Sequence, residues 1–532
     1  MKNEFGSYDV ASFIDALPAP PASEQSSSAS ASANPIVGKE AYHAAQRTKL
    51  NWWWNPDAVS GDLAVRESFD LLTARVRDIV RNDPILLKCK RVLQRLVIGT
   101  GIRVYSAASE LDEAGSGVEA FENESDVWFE RWAMEEADAM GESPLAELQR
   151  VAFGDEVEAG NCLWLRVIDN DPDRIVPLSY QLIEWEQLDR SKDRDAELSR
   201  SGKGRRFNRI TNGIEYDSRN RKSHYHLYDV HPFNGTGFND QSTRISADRI
   251  IHQFWPERPS SRMNASWFAP MVNINRDLDR FLVNELTTRA LQAKMAYHFK
   301  SPDAGFDPGM DTLDQDGVPY RMYKGVGGAF RTGPDDSVEI VESKRSTSEN
   351  LPLQMLMLNL HSMGCGISLN RLLGDPSKAN LASLKAAHAD DAGMMAPIQV
   401  TFATKVLRQI RKEFHRFAFA KGLFRTVSAD DFRRRPWFYN EFLSIAPNAV
   451  ASDKDDVQAA IDRLRSGQST FPVEAMRMGI HPRKLIRQVS RYNDIFEREG
   501  VVFDWGKGGG QAASRTSTVR ASDEELEATD GQ

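Results

Sequence analysis

The sequence predicts an α+β protein, with a mixed region of helices and strands followed by long helices. Three features of the 532-residue chain predict it. Residues 75–101 carry the signals of a helix, a break and a second helix. Residues 162–254 contain short apolar runs separated by turn-prone residues, as strands do. Across 270–299, apolar residues recur at four-residue spacing, as in a long helix.

Composition restricts the class of protein. A chain of this length is expected to fold into several structural units, and 41% hydrophobic and 27% charged residues are ordinary for a globular protein. The N-terminus lacks a hydrophobic signal core, and every apolar run is shorter than the roughly 18 residues of a membrane helix. The three cysteines are widely scattered, which argues against a disulfide framework and a zinc site and fits a reducing cytoplasm.

A net charge of −9 argues against tight DNA binding, because neutralising phosphates supplies most of the affinity of a DNA-binding protein. It is compatible with a protein past which DNA must slide. Residues 18–35 are rich in Pro, Ser and Ala, and the tail from 506 is rich in Gly and Ser. We expect a flexible N-terminal arm over 1–62 and a disordered tail over 501–532.

The first element is a helix that stops before Asp83 and restarts at Pro84. Asp83 can accept bonds from the free N–H groups of the new helix, and proline fits a first turn. The second helix should end at Gly99 to Gly101. Its predicted buried face consists of Ile85, Cys89, Val92, Leu93, Leu96 and Val97.

Helices and strands alternate over the next hundred residues. A helix should begin at Ser143-Pro144 and stop at Gly160, and buried strands should follow at 162–168 and 176–183. The turn-prone S-R-N-R at 218–221 separates two strands at 214–217 and 223–230, which predicts a hairpin. Another strand is expected at 250–254.

The second half is mainly helical. After the helix at 270–299, residues 301–350 hold ten acidic and five basic residues and short apolar runs at 320–323 and 338–341 that could pair as strands. Separate helices are predicted at 352–363, 380–391 and 397–421, and two more follow. The first of these should be capped by Ser452, and the second carries Leu485, Val489, Tyr492 and Phe496.

Several motifs in this order are similar to those of one family. R-x-R-D-x-x-R-N-x-P at 75–84 with G-T-G-I at 99–102 resembles the N-terminal hallmark of lambda-type phage portal proteins. A-F-G-D-E-V-E-A-G-N at 152–161, Y-Q-L-I-E at 180–184 and N-G-I-E-Y-D at 212–217 resemble further landmarks of that family. So do I-I-H-Q-F-W-P-E-R at 250–258 and G-C-G-I-S-L-N-R-L-L-G-D-P-S-K-A-N at 364–380.

The resemblance implies a portal fold and a portal function. Portal proteins of this kind form a dodecameric ring at a capsid vertex of the virion, assembled in the host cytoplasm. The ring conducts double-stranded DNA, without sequence readout, during packaging and ejection. The implied partners are terminase, the major capsid protein and the head-completion and tail connector proteins. The implied domains are an α/β wing (63–265), a first stem helix (266–298), a clip (299–349), a second stem helix (350–365), a channel loop and helix with a return to the wing (366–450) and a helical crown (451–500).

The resemblance also suggests which residues meet partners. Arg371, Lys378, Asn380 and Lys385 match the channel region, where twelve copies of the two lysines would make weak phosphate contacts. The plainer alternative is that Asp375 or Asn380 caps the next helix. Tyr320, Arg321 and Lys324 are the predicted docking residues of the clip.

Other candidate sites have plainer explanations. The helix predicted at 397–421 has an apolar face, formed by Phe402, Val406, Ile410, Phe414 and Phe417. Its opposite face is basic and is formed by Lys405, Arg408, Lys412 and Arg416. The basic face either contacts DNA or acidic groups of a neighbouring subunit, or is simply solvated. His224, His226 and His231 are interpreted as a polar sheet face rather than a metal site. Cys365 is interpreted as part of a glycine turn rather than as a nucleophile.

We therefore expect no enzymatic activity, cofactor or metal. The rival hypotheses are a nucleic-acid-processing enzyme, which would need a carboxylate cluster for two metals or an activated nucleophile, and a capsid scaffold or adaptor that forms no ring.

Overall fold

A computed structural model of the chain describes residues 49, 53–54, 56–107, 116–195, 197–198, 205–234, 241–294, 297–300, 329–332, 347–374, 380–428, 430, 434, 441–444, 453–477, 480 and 482–500. Helices and mostly antiparallel sheets are mixed in it, which confirms the α+β class. The helices are α1 Gly61–Asn82, α2 Pro84–Val97, α3 Ser116–Glu135, α4 Leu145–Ala159, α5 Val272–Lys294, α6 Thr347–Cys365, α7 Leu369–Leu373, α8 Leu381–Phe402, α9 Arg408–Lys421, α10 Asp453–Arg465, α11 Phe471–Arg477 and α12 Pro482–Arg498.

The strands are β1 Arg103–Ser106, β2 Cys162–Val167, β3 Ser179–Ile183, β4 Glu197–Leu198, β5 Arg205–Phe207, β6 Arg209–Thr211, β7 Ile214–Tyr216, β8 Lys222–Tyr228, β9 Ser242–Ser246, β10 Ile250–Gln253, β11 Tyr297–Lys300, β12 Ala329–Thr332 and β13 Glu441–Ser444. Strands β10, β2 and β3 form one antiparallel sheet, and β6 to β9 form another in sequence order. The predicted hairpin is β7 and β8, in which Ile214 lies opposite Tyr225. The strand predicted at 176–183 begins only at Ser179.

The break between α1 and α2 is confirmed. Asp83 Oδ1 accepts hydrogen bonds from the backbone N–H groups of Ile85 and Leu86, at 2.8 and 3.1 Å, and Pro84 is the first residue of α2. Gly99 takes a positive φ at the end of the helix, as predicted for a glycine stop. The predicted face of α2 is buried apart from the half-buried Ile85.

Two apolar cores lie beneath these elements. The larger joins α2, α3, α4, α8 and α9 to one face of the three-stranded sheet, with Trp132, Phe153 and Phe414 among its largest side chains. The smaller lies between α1 and the four-stranded sheet and is centred on Phe69, Trp185 and Tyr225. The ring of Phe69 packs edge-on against that of Trp185, with centroids 5.8 Å apart.

The long helix predicted at 270–299 is shorter in the structure. A 3₁₀ turn at Ala269–Met271 precedes α5, which ends at Lys294. Tyr297–Lys300 instead pairs in parallel with Ala329–Thr332, and its aromatic residues suit a strand. The strands predicted at 320–323 and 338–341 lie outside the described residues, as does Ser452. The second predicted C-terminal helix is α12.

The prediction of separate helices at 380–391 and 397–421 is wrong. Helix α8 continues through Pro397 and passes through a π-helical turn at Ala403–Leu407 into α9. Proline removes one backbone donor, which usually kinks or ends a helix. Here buried residues on both sides, including Met395, Phe402, Val406 and Ile410, pack against the large core and keep the helix continuous.

None of the described helices has both the length and the apolar composition needed to cross a bilayer.

Candidate functional site

A tight turn follows α6 and leads into the predicted channel segment. The Ile367 N–H donates to Ser362 O and the Gly366 N–H to Met363 O, both at 3.2 Å. Gly366 has a φ of 65°, which only glycine adopts at little cost. The chain reverses here between α6 and the short helix α7.

Asp391, on α8, holds this turn in place. Its carboxylate accepts hydrogen bonds from the Ser368 N–H at 2.7 Å and the Ser368 hydroxyl at 2.9 Å, and it forms an ion pair with Arg371 Nε at 2.8 Å. Its side chain is 4% exposed, so the cation and the two donors offset the cost of burying a charge. We call Ser368, Arg371 and Asp391 the Asp391 turn.

The predicted channel residues are placed on this segment. Arg371 is half-buried and directed inward to Asp391. Asn380 caps α8, because its Oδ1 accepts a 2.7 Å bond from the Ser383 N–H, as the plainer alternative predicted. Lys385 is half-buried one turn further along α8. Lys378 and Asp375, and the clip residues Tyr320, Arg321 and Lys324, lie outside the described residues. The assignment of all these residues to DNA or partner contact stays a prediction.

Sequence reasoning missed Asp391. A signal was present, because Asp391 precedes the buried Met395 by four residues and so shares its helix face. A carboxylate on an apolar face needs a buried partner.

Helices α5 and α6 pair beside the turn. The buried His361 of α6 contacts Asn275 Oδ1 of α5 through Nε2 at 3.2 Å, and its Nδ1 lies 2.8 Å from Met357 O. Gly364 faces Met271 so closely that a Cβ atom would lie 2.8 Å from the methionine side chain. The two predicted stem helices are therefore fixed to each other at this end.

Away from this contact, both helices expose apolar side chains. On α5 these are Leu282, Val283 and Leu286, of which Leu286 is 67% exposed, and on α6 they are Leu353, Leu356, Leu360 and Met363. Exposed apolar side chains concentrated on one pair of helices are typical of a surface that another protein covers.

Arg77, from the N-terminal hallmark, joins three of the motifs. Its guanidinium contacts Asp155 at 2.7 Å and Glu158 at 3.2 Å, both on α4, and Glu186 at 2.6 Å. Glu184 lies 3.7 Å away. Burial alone would lower the pKa of Arg77, but Asp155, Glu186 and Glu184 raise it overall. We call these five residues the Arg77 cluster.

A second cluster joins α4 to β10 and to the π-helical turn. Glu156 Oε2 accepts a 2.7 Å bond from Gln253 Nε2, and Gln253 Oε1 accepts one of the same length from Trp164 Nε1. Lys405 Nζ lies 4.5 Å from the centre of the Phe254 ring, near Glu156. Burial raises the pKa of Glu156 to about 7, although Gln253 and Lys405 act in the opposite direction.

The apolar face predicted for 397–421 is buried except for the half-buried Phe417. Arg408, Lys412 and Arg416 are exposed, whereas Lys405 turns inward. Arg411, which the sequence analysis did not single out, is fully buried. It donates to Ser125 Oγ at 3.0 Å and forms an ion pair with Asp126, so it fixes α9 to α3.

The histidines of β8 and Cys365 lie among ion pairs and packed side chains that support the fold. His224 and His226 flank Glu215, which Arg244 holds at 2.9 Å, in agreement with a polar sheet face. Cys365 is buried with its Sγ 3.7 Å from Met271 Sδ. A hydrogen bond with Cys89, which favours the protonated thiol, and burial raise the pKa of Cys365, so this position does not suit an exposed nucleophile.

A sequence model of the family described as "Phage portal protein, lambda family" matches residues 47–399. Similar solved structures include the neck of a native gene transfer agent particle computed with C12 symmetry, at 12% identity and a TM-score of 0.36, covering 76% of this chain and 94% of that chain. The neck of an empty particle computed with C6 symmetry gives 12% identity and a TM-score of 0.38 at the same coverage. The virion of the native particle gives 12% and 0.36, covering 79% and 99%.

Proposed function

Because the chain belongs to the lambda family of phage portal proteins, we propose that twelve copies close into a ring at one capsid vertex. The ring would conduct double-stranded DNA during packaging and ejection. Portal proteins are in general structural components, and we propose that this chain has no catalytic activity of its own.

The exposed apolar side chains of α5 and α6 support the ring. A helix of 23 residues, such as α5, is about 35 Å long. Leu286 on α5 and Leu356 on α6 are more than half exposed in the single chain. A neighbouring copy packed along these helices would remove them from water, at about 25 cal/mol for each Å² of apolar surface buried.

Light scattering and negative-stain images of the purified protein test the ring. Leu286→Glu and Leu356→Glu should reduce the fraction of protein in rings, because each places a charge in the proposed contact. Met140→Glu, at an equally exposed apolar residue away from these helices, is the control. A single-chain particle without a central opening at any concentration would overturn the proposal, and would favour the scaffold or adaptor. Metal-dependent nuclease activity would favour the enzyme.

We further propose that Lys378 and Lys385 provide rings of weak phosphate contacts and that Asn380 shapes the start of α8 beside them. Arg371 would act mainly by positioning this segment, since it is paired with Asp391. Acidic walls would repel the duplex from the remaining surface, so that it slides. This arrangement would not distinguish one DNA sequence from another, because phosphate contacts carry no sequence information directly.

The test of the channel is a packaging assay with assembled particles. Lys378→Glu together with Lys385→Glu should change the amount of DNA retained while the rings stay intact. Lys88→Glu, at an exposed lysine of α2, is the control. Unchanged DNA retention in the double variant would contradict the channel assignment.

We also propose the domain division that the family resemblance implied, with one adjustment, since the structure begins α6 at Thr347. Terminase, and later the head-completion and tail connector proteins, would dock on the clip through Tyr320, Arg321 and Lys324. The wing would meet the major capsid protein. Arg321→Ala with Lys324→Ala should weaken terminase binding in a pull-down without affecting ring formation, and unchanged binding would contradict the docking assignment.

A further inference from the structure

Two acidic side chains of the Arg77 cluster meet a histidine from outside it. Glu184 and Glu186 follow β3, and His231 follows β8. Ligand-type atoms of the three side chains all lie within 4.8 Å of one another, and His231 Nε2 is 3.2 Å from Glu184 Oε2. Residues from two separate parts of the chain thus converge on one point.

This location carries more negative than positive charge. Four carboxylates, those of Asp155, Glu158, Glu184 and Glu186, surround Arg77. Lys90 adds one further cation through a 2.6 Å contact with Glu158. When all four carboxylates are ionised, two negative charges remain in excess within this group, which is the charge of one divalent cation.

The three side chains differ in their access to water in a way that suits ion binding. Glu184 is 50% and His231 31% exposed, so an ion can enter and water can complete its coordination. Glu186 is 10% exposed and is held by both of its oxygens against Arg77, at 2.6 and 3.0 Å. A carboxylate has about four lone-pair sites, so Glu186 can bind a metal while Arg77 fixes its orientation.

We propose that Glu184, Glu186 and His231 form a binding site for a divalent transition-metal ion of the zinc class. One imidazole and two carboxylates form a ligand set that such ions accept, with water in the open position. Magnesium prefers a shell of oxygen atoms and is not expected to select this site. The bound ion would join the loop after β8 to the Arg77 cluster.

Binding requires one local change at His231. Its Nδ1 accepts a hydrogen bond from the Phe233 N–H at 3.2 Å, so the neutral ring carries its proton on Nε2. When Nε2 binds the metal, the ring proton resides on Nδ1 and this exposed hydrogen bond is lost. An exposed bond contributes little, so the metal ligation outweighs its loss.

The test uses the full-length protein after EDTA treatment and dialysis, and does not depend on ring formation. Titration with ZnCl₂ in a calorimeter should give one site per subunit, and CoCl₂ should give the visible absorption of a bound Co²⁺ ion. His231→Gln and Glu184→Gln should each weaken Zn²⁺ binding by at least about 100-fold, since losing even an outer partner costs 10- to 100-fold.

His224→Gln is the matched control, because His224 also lies close to a carboxylate, that of Glu215, in the neighbouring sheet. It should bind Zn²⁺ as the unsubstituted protein does. Absence of binding by the unsubstituted protein would overturn the proposal. So would equal Zn²⁺ affinity in His231→Gln, or equal affinity for Mg²⁺ and Zn²⁺.

Discussion

Glu156 offers a test of how the core between α4 and β10 responds to pH. Glu156 is 4% exposed, and its carboxyl group accepts a hydrogen bond from Gln253. We predict that Glu156→Gln makes the protein more stable at pH 8 and removes part of its dependence on pH. Glutamine has almost the same shape and can accept the same hydrogen bond, but it never acquires the buried charge.

The size of the effect follows from the raised pKa. Burial moves the pKa of Glu156 from 4.5 to about 7 in the folded protein. The folded state therefore holds this proton at pH values at which the unfolded chain has lost it, and the associated stability is lost as the pH rises from about 4.5 through about 7. At about 1.4 kcal/mol for each pH unit, the loss amounts to about 3 kcal/mol.

The assay is guanidinium chloride unfolding, followed by tryptophan fluorescence, at pH 5, 6, 7 and 8. Subunit concentration is kept fixed, because association changes apparent stability. The free-energy difference between Glu156→Gln and the unsubstituted protein should grow with pH, and Asp155, whose pKa burial also raises to about 7, affects both proteins equally. Glu147→Gln, at an exposed residue of α4, should not change the profile. A difference that stays constant from pH 5 to pH 8 would refute the reasoning.

Three further predictions concern residues that fix the fold, and each is checked by the unfolding midpoint of the variant. Gly160→Ala should destabilise the folded protein by several kcal/mol, because the new Cβ would lie 2.4 Å from two backbone oxygens. Gly374 also has a positive φ but lies in open space, so Gly374→Ala should cost only about 1 kcal/mol. Equal losses of stability in the two variants would contradict the steric argument. Asp391→Ala should cost about 3 kcal/mol, since it leaves the half-buried Arg371 cation and the Ser368 donors without their partner, and a value near zero would remove Asp391 as the anchor of its turn. Arg411→Met should cost far more than Arg408→Met, which alters an exposed residue, and the reverse order would exclude the buried ion pair as a support of α9.

Local signals in the sequence were read correctly because their physical causes are local. Asp83 and Pro84 start a helix through contacts that all lie within residues 83–86. The sequence S-R-N-R forms the turn between two strands that pair with each other. Pro397 carries an equally local signal, and there the prediction was wrong. Tertiary packing of the helix against the large core outweighed the missing hydrogen bond.

The contacts that position the candidate site could not be derived from the sequence. Arg77 meets Glu186 across 109 residues, and Arg411 meets Asp126 across 285. No periodicity or spacing pairs such residues, because their meeting depends on how whole elements pack. The family resemblance located three separate motifs. The structure adds that Glu158 and Glu184, from two of them, both contact the guanidinium group of Arg77, from the third.

The unbroken helix from residue 381 to residue 421 has a mechanical consequence. It is about 60 Å long and begins at the Asn380 cap, while Arg411 anchors its other half to α3. Because a continuous helix bends little, we expect a force applied at the Asn380 end to be transmitted along its axis. The large apolar core around Arg411 would then resist that force, and the surface loops would not.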